Sequence, residues 1–455
     1  MDQIGLLYRR GMMGRRLRFL ARAFGGLLAS AAIASAAVAV ELRPVASGLT
    51  APVGLLDPAD GSGRLFLHEQ HGLVREMSRD GAIGGALLDL TGRMTPLDEG
   101  FEERGLLGFA LHPAFAVNGR VYALYTAPLR ASAPEGWNHT KRLSEFTLAP
   151  GAEAIDLGTE RVLIEIDWLS RKHNGGALTF DGEGRLLVGL GDGGGAHGVG
   201  RDVIWSAFEV QESQLHWDRL AQDVTSLFGS ILRIDVEKGF PGYAVPANNP
   251  FVGREGRDEI LAWGLRNPYR ATVDAKTGSI FVTAVAETLW EAVYRFDGPA
   301  NLGWPLREGT HCVDRLKPRD PPADCPRVGP HGWRIADPVV EYPNMQVAHP
   351  ATKVKAIGLG AAVTGALVYR GSALPELYGR LLVSDWSATF QTPSGQLFAA
   401  APAGEIGGLW PLEPLARLDT RVIGLAADAE GEVYVLTSDQ LGPFGETGGV
   451  YKLVP

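Results

Sequence analysis

Apolar residues in this chain fall in short runs punctuated by glycine, aspartate and proline. From Lys172 to Gly194, KHNGGALTFDGEGRLLVGLGDGG, the pattern predicts two strands, Ala177–Phe180 and Arg185–Gly189, joined by a tight turn at Asp181–Gly184. One signature, a turn glycine, a polar residue and three mostly apolar residues, recurs six times along the chain. The copies begin at Gly63, Gly119, Gly184, Gly278, Gly379 and Gly431. Further apolar runs precede them, among them Gly108–Leu111, Ala177–Phe180, Ala271–Val273, Ala366–Tyr369 and Gly424–Ala427. A single hairpin of this kind cannot bury both its faces, so the copies must pack on one another. Six such units closed in a circle predict an all-β fold, a six-bladed β-propeller with long rim loops; a pair of packed sheets is the alternative. The longer segments Ala196–Thr225, with a short helix within Val203–Leu220, and Glu308–Glu341 read as loops on one rim.

The circular arrangement has a chemical consequence. His173 lies eleven residues before Gly184, Arg266 twelve before Gly278 and Arg421 ten before Gly431. Equivalent positions in different blades share one end of the central channel, so these three side chains are expected to converge. A base and two guanidiniums in a concave site suit a small anionic ligand. After His173 come Asn174, Gly175 and Gly176, where absent side chains would let a ligand approach closely. The loop Gly189–Gly194 looks like a dinucleotide fingerprint but has no βαβ context. Asp192 within it either caps backbone amides of a tight turn or lines the cleft.

Composition narrows the field. A net charge of −9 and the absence of a basic run in the body of the chain argue against nucleic acid as partner. The N-terminus differs. Six arginines between Arg9 and Arg22 precede an Ala/Leu-rich run, Phe24–Val40, with small residues at Ala34, Ala36, Ala37 and Ala39. That order describes a secretory signal over residues 1–40, or a retained anchor, followed by a propeller domain over 41–455. The expected location is the periplasm or the medium. Of the two cysteines, Cys312 and Cys325, an oxidising compartment would make a disulfide stapling a Pro-rich loop.

Taken together, several motifs resemble the glucose/sorbosone dehydrogenases, and within them the soluble aldose sugar dehydrogenases. They are Glu103–Pro113 (ERGLLGFALHP), His173–Gly176, Gly191–Gly194, Gly229–Asp235, Trp263–Pro268 and Asn301–Pro305. The resemblance implies a six-bladed propeller that uses pyrroloquinoline quinone (PQQ) and calcium to oxidise aldoses at the anomeric carbon. Electrons would pass to an external acceptor, soluble or membrane-bound. It implies that His173 is the general base and that Arg266 contacts both cofactor and reacting oxygen. Glu103, Asn267 and Glu287 are further cofactor-contacting positions, and Glu308 and Glu341 are candidates for a calcium site. The chain departs from the family twice. Ala284-Val285-Ala286-Glu287 stands where the family usually carries Asp-Val-Gly-Gln, which places a negative charge beside an anionic cofactor unless calcium offsets it. A lysine found near the quinone in glucose-oxidising members has no counterpart around Ser384–Trp386, and Arg421, or else Arg417, is its expected replacement. The first departure keeps a second reading open, a non-catalytic carbohydrate- or protein-binding propeller.

Overall fold

The computed structural model describes residues 39–194, 219–402 and 408–455. Residues 1–38, with almost all of the expected leader, lie outside it, as does most of the helix expected within Val203–Leu220.

Six antiparallel sheets of four strands, each a meander, make six blades. Blade 1 comprises Pro52–Leu56, Arg64–Glu69, Leu73–Ser78 and Ile83–Asp89, and blade 2 Leu106–Leu111, Arg120–Ala127, His139–Thr147 and Arg161–Trp168. Blade 3 is built from Leu178–Phe180, Leu186–Leu190, Ser230–Ile234 and Ile260–Trp263, with the short Ala300–Asn301 added alongside. Blade 4 contains Pro268–Val273, Ile280–Ala284, Trp290–Phe296 and Val340–Pro343. Blade 5 contains Val363–Val368, Leu381–Asp385, Gly395–Ala400 and Leu412–Leu418. Blade 6 takes Arg421–Ala427, Val433–Ser438 and Gly448–Val454 from the C-terminal end and Glu41–Leu49 from the other. Glu41 pairs with Val454, so one sheet holds both ends of the propeller and closes the circle. The first strand of each blade packs beside the first strand of the next, around a common axis.

The six recurring glycines each open the second strand of a blade, and all six have positive φ, between +62° and +83°. A β-carbon there would strain the turn, which is why the signature keeps glycine. The apolar run after it is continuous because this strand is covered on both faces. In blade 4, Ile280 and Val282 pack toward blade 3 while Phe281 packs toward blade 5. In blade 6, Val433 and Val435 face blade 5 while Tyr434 and Leu436 face blade 1. Six clusters of buried side chains result among the described residues, one at each junction between blades. Burying these faces, at about 25 cal/mol per Å² of apolar surface, is what stacks the sheets.

The loop Glu308–Glu341 carries a short hairpin, Arg307–Glu308 with His311–Cys312. Its cysteines form the expected disulfide, Cys312–Cys325.

Candidate active site

Where the axis opens at one end, residues from all six blades or the loops leading into them line a cavity of about 310 Å³. That is near the lower end of the range for small-ligand sites, about 300–1,000 Å³. His173 and Arg266, ninety-three positions apart in sequence, meet on its wall: Arg266 Nη2 lies 2.5 Å from His173 Nε2. The convergence expected from circular stacking holds for this pair.

The histidine is held from every side. Its backbone adopts φ +52°, a left-handed conformation that costs a non-glycine residue of order 1–3 kcal/mol. Its N–H donates to Glu103 Oε2 at 2.6 Å, which helps fix that conformation. On the ring, Nδ1 lies 2.6 Å from Asp192 Oδ1. Asp192 is buried and also accepts Trp304 Nε1–H at 2.8 Å and the Gly194 amide at 2.9 Å. Asp192 therefore caps a turn amide, as one of its two readings has it; it does not line the cavity but stands behind His173 and fixes the ring. Burial pushes its carboxyl up, but His173 and Arg266 hold it below the ordinary carboxylate range. An ionised carboxylate only accepts and a guanidinium only donates. Between the two, the imidazole must carry its proton on Nδ1 and present the Nε2 lone pair to Arg266.

The turn that follows is equally constrained. Asn174 accepts from His139 Nε2 at 2.9 Å and donates to the Arg171 carbonyl at 2.8 Å. Its own carbonyl takes the ammonium of Lys141, which is buried against the Trp168 ring at 4.6 Å. Burial pushes the Lys141 ammonium well below its usual value, and burial together with Lys141 and Arg104 does the same to His139. Gly175 donates to Asn267 Oδ1 at 2.8 Å. A β-carbon on Gly175 would sit 2.5 Å from the Gly189 carbonyl oxygen, and one on Gly176 would press on Leu107 and Arg270. Chain-to-chain packing, rather than ligand access, explains these two glycines.

Arg266 uses all of its nitrogens. Besides His173, it binds Val285 O through Nη1 at 3.2 Å and Glu287 Oε2 through both Nε and Nη2 at 2.5 Å. The other Glu287 oxygen lies 3.4 Å from Arg315. Glu103, Asn267 and Glu287 thus all reach the cavity.

Arg421 does not. Its guanidinium lies behind the cavity wall, stacked over Trp386 at 4.9 Å and bonded to the carbonyls of Phe390 and Asp439. The blade-equivalent position brings it to the correct rim, but the Trp386 ring stands between it and the cavity. Arg417 sits exposed on the outermost strand of blade 5, away from the axis. Glu308 and Glu341 do not form a ligand set either. Glu308 accepts the backbone N–H groups of Glu287, Thr288, Leu289 and Trp290, at 2.6–3.3 Å. Glu341 accepts the Thr310 amide and hydroxyl and His311 Nε2. Among the described residues no group of three His, Cys, Asp or Glu side chains comes together.

Sequence reasoning missed two features. Arg270, on the innermost strand of blade 4, spans the channel floor, donating to Val53 O at 2.5 Å and Leu107 O at 3.3 Å. It has no carboxylate partner within 4 Å among the described residues. A charged residue in the apolar run of an inner strand was the available signal. The second is an aromatic wall of Phe101, Trp386 and Phe390, with ring centroids 4.8 Å apart for the Trp–Phe pair and 6.4 Å for the two phenylalanines.

Fold and site define a class, six-bladed propellers with a histidine–arginine pair at the mouth of the axis. The chain belongs to the Glucose / Sorbosone dehydrogenase family, whose model matches residues 49–320. Human Hedgehog-interacting protein is 27% identical over 427 residues, covering 91% of this chain and 52% of that protein. An aldose sugar dehydrogenase of Escherichia coli is 26% identical over 207 residues, covering 44% of this chain and 46% of the relative. The chain thus spans about half the length of these curated relatives. Among solved structures, the PQQ-bound aldose sugar dehydrogenase of Streptomyces coelicolor superposes with a TM-score of 0.63 at 19% identity, covering 91% of this chain and 98% of the other. The apo soluble aldose sugar dehydrogenase of E. coli gives 0.61 at 18%, covering 91% and 99%. These likenesses establish the propeller.

Proposed function

We propose that this protein oxidises the anomeric carbon of an aldose to the lactone in the periplasm or the medium, using PQQ held in the axial cavity and passing electrons to an external acceptor. The observation that carries this reading is the Asp192–His173–Arg266 line, a base oriented by a buried carboxylate with a guanidinium beside its free lone pair. PQQ is a planar tricarboxylate, and the lining fits such a group. Four cationic side chains, Arg171, Lys172, Arg266 and Arg270, stand against three carboxylates, and the aromatic wall matches a flat ring system. Arg270 would hold a carboxylate of it from the floor, and Arg266 would stand at the wall where the sugar reacts. When bound, the quinone supplies the hydride acceptor. The sugar's C1 hydroxyl replaces Arg266 as the partner of His173 Nε2 and gives its proton there. The oxygen left behind stays beside the guanidinium, which offsets its charge, and Asp192 stabilises the imidazolium that forms. Glu308 and Glu341 already have their oxygens committed to protein donors, so no step is assigned to calcium.

The test is reconstitution of purified protein with PQQ, with and without calcium, followed by dye reduction with a panel of aldoses. Turnover that falls about 10²–10⁴-fold in His173→Ala, with quinone binding retained, is the expected result. No quinone binding at any calcium level would reject the reading. One observation favours the second reading, a binding module without redox chemistry: in this structure Arg266 is already paired with Glu287. A protein that binds sugars but not the quinone would establish it.

A further inference from the structure

The Arg266–Glu287 pair is almost fully enclosed, with side-chain exposures of 13% and 7%. Its carboxylate cannot be withdrawn by a simple shift of the chain. Glu308 fastens the amides of residues 287–290, and the Gln346 side-chain amide reaches the Glu287 carbonyl at 3.5 Å. Arg266 and Arg315 share this corner with the carboxylates of Glu287, Asp192 and Glu103, so two positive charges meet three negative ones. An anionic ligand approaching Arg266 must displace a carboxylate already in place, or lie against it as a second anion in a medium that screens poorly. An uncharged hydroxyl meets neither penalty, because it can accept from the guanidinium and donate to the carboxylate at once.

The geometry points to Glu287 as a specificity-determining residue: by competing for the Arg266 guanidinium it weakens anion binding in the cavity and favours an uncharged polyol at that wall. This rests on the reading that the cavity takes PQQ. Arg270, which has no carboxylate partner among the described residues, is then the stronger anion anchor, and Arg266 is reserved for the sugar.

The test is direct titration of PQQ into the full chain, followed by quenching of protein fluorescence, with Trp386 reporting from the cavity wall. Wild type, Glu287→Gln and the exposed-surface control Glu376→Gln are compared. Glu287→Gln keeps the shape and removes the charge, and should tighten PQQ binding at least tenfold with a steeper dependence on salt; the control should not change it. In an Arg266→Gln background the gain should largely vanish, since the competition has no object there. Equal or weaker binding by Glu287→Gln, a gain that persists without Arg266, or no binding by any of the proteins would each overturn the inference. The two proposals fail separately. Tighter binding by Glu287→Gln with no sugar turnover refutes the dehydrogenase and leaves the charge competition standing, whereas wild-type turnover with unchanged affinity in the variant does the reverse.

Discussion

Replacing Asp192 with asparagine exposes how the site is wired. The carboxylate serves three donors: His173 Nδ1 and the Gly194 amide on Oδ1, and Trp304 Nε1 on Oδ2. An amide has one oxygen, so it cannot satisfy both sides. With its oxygen toward His173, its NH₂ meets the indole N–H, so the indole loses its acceptor and the new NH₂ donor finds none. At about 1–3 kcal/mol for each, this orientation costs about 2–6 kcal/mol. With the amide turned over, the indole is satisfied, but the NH₂ confronts Nδ1 and forces the imidazole proton onto Nε2, against Arg266. The lone pair that the proposed proton transfer needs is then gone. Either way turnover should drop, by about 10²–10⁴-fold if the tautomer is lost. The assay pairs dye-reduction kinetics of the PQQ-loaded protein with a quinone titration and a thermal melt. The expected pattern is a kcat that collapses, quinone affinity within a few-fold of wild type, and a melting point lowered by several degrees. Turnover within threefold of wild type would refute the reasoning.

Four other outcomes follow from the same structure. Glu308→Ala leaves four backbone amides without acceptors and should cost at least about 3 kcal/mol in urea unfolding. Burial pushes the carboxyls of Glu291 and Asp385 up, to about 8 and about 7, above their unfolded values of 4.5 and 3.8. The folded state therefore binds more protons, so the stability these groups confer is complete below about pH 4 and is lost as pH rises through 7–8. Urea midpoints should fall from pH 6 to pH 8.5, and Glu291→Gln should flatten that slope. Arg421→Met removes a cation from behind Trp386 without touching the cavity and should change PQQ affinity less than Arg270→Met does; an equal loss in both would return Arg421 to the site. Reducing Cys312–Cys325 releases a short loop and should lower stability by about 3 kcal/mol, read as a shift in the melt with and without reductant.

The ring was legible because the strand that identifies each blade is buried on both faces. That demand writes a continuous apolar run after a positive-φ glycine, and neither depends on distant partners. His173 and Arg266 were legible for the same reason, since equivalent places in different blades share one rim whatever loops intervene. Blade position gives the rim but not the side-chain direction. That is how Arg421 was expected in the cavity and lies instead behind an indole ring. The acidic residues were harder still. Nothing local separates a glutamate that caps four amides, as Glu308 does, from one that binds a cation. The difference lies in which backbone comes within 2.6–3.3 Å, and that backbone is distant in sequence.

Glu287 shows how a single departure can be read from sequence while the partners that set its effect cannot. An added negative charge beside an anionic ligand is expected to repel it through space. In the folded chain both of its oxygens are taken up by Arg266 and Arg315, so its charge is already balanced where it stands. What it changes is the availability of Arg266. A cation whose every nitrogen has a partner can attract an anion only by giving one up, so the effect of the departure is set by a competition between bonds rather than by net charge. Arg270 is hydrogen-bonded to carbonyl oxygens alone, and among the described residues no carboxylate pairs with it at the cavity. Two arginines four residues apart, one balanced and one not, divide the cavity into a wall suited to hydroxyls and a floor suited to carboxylates.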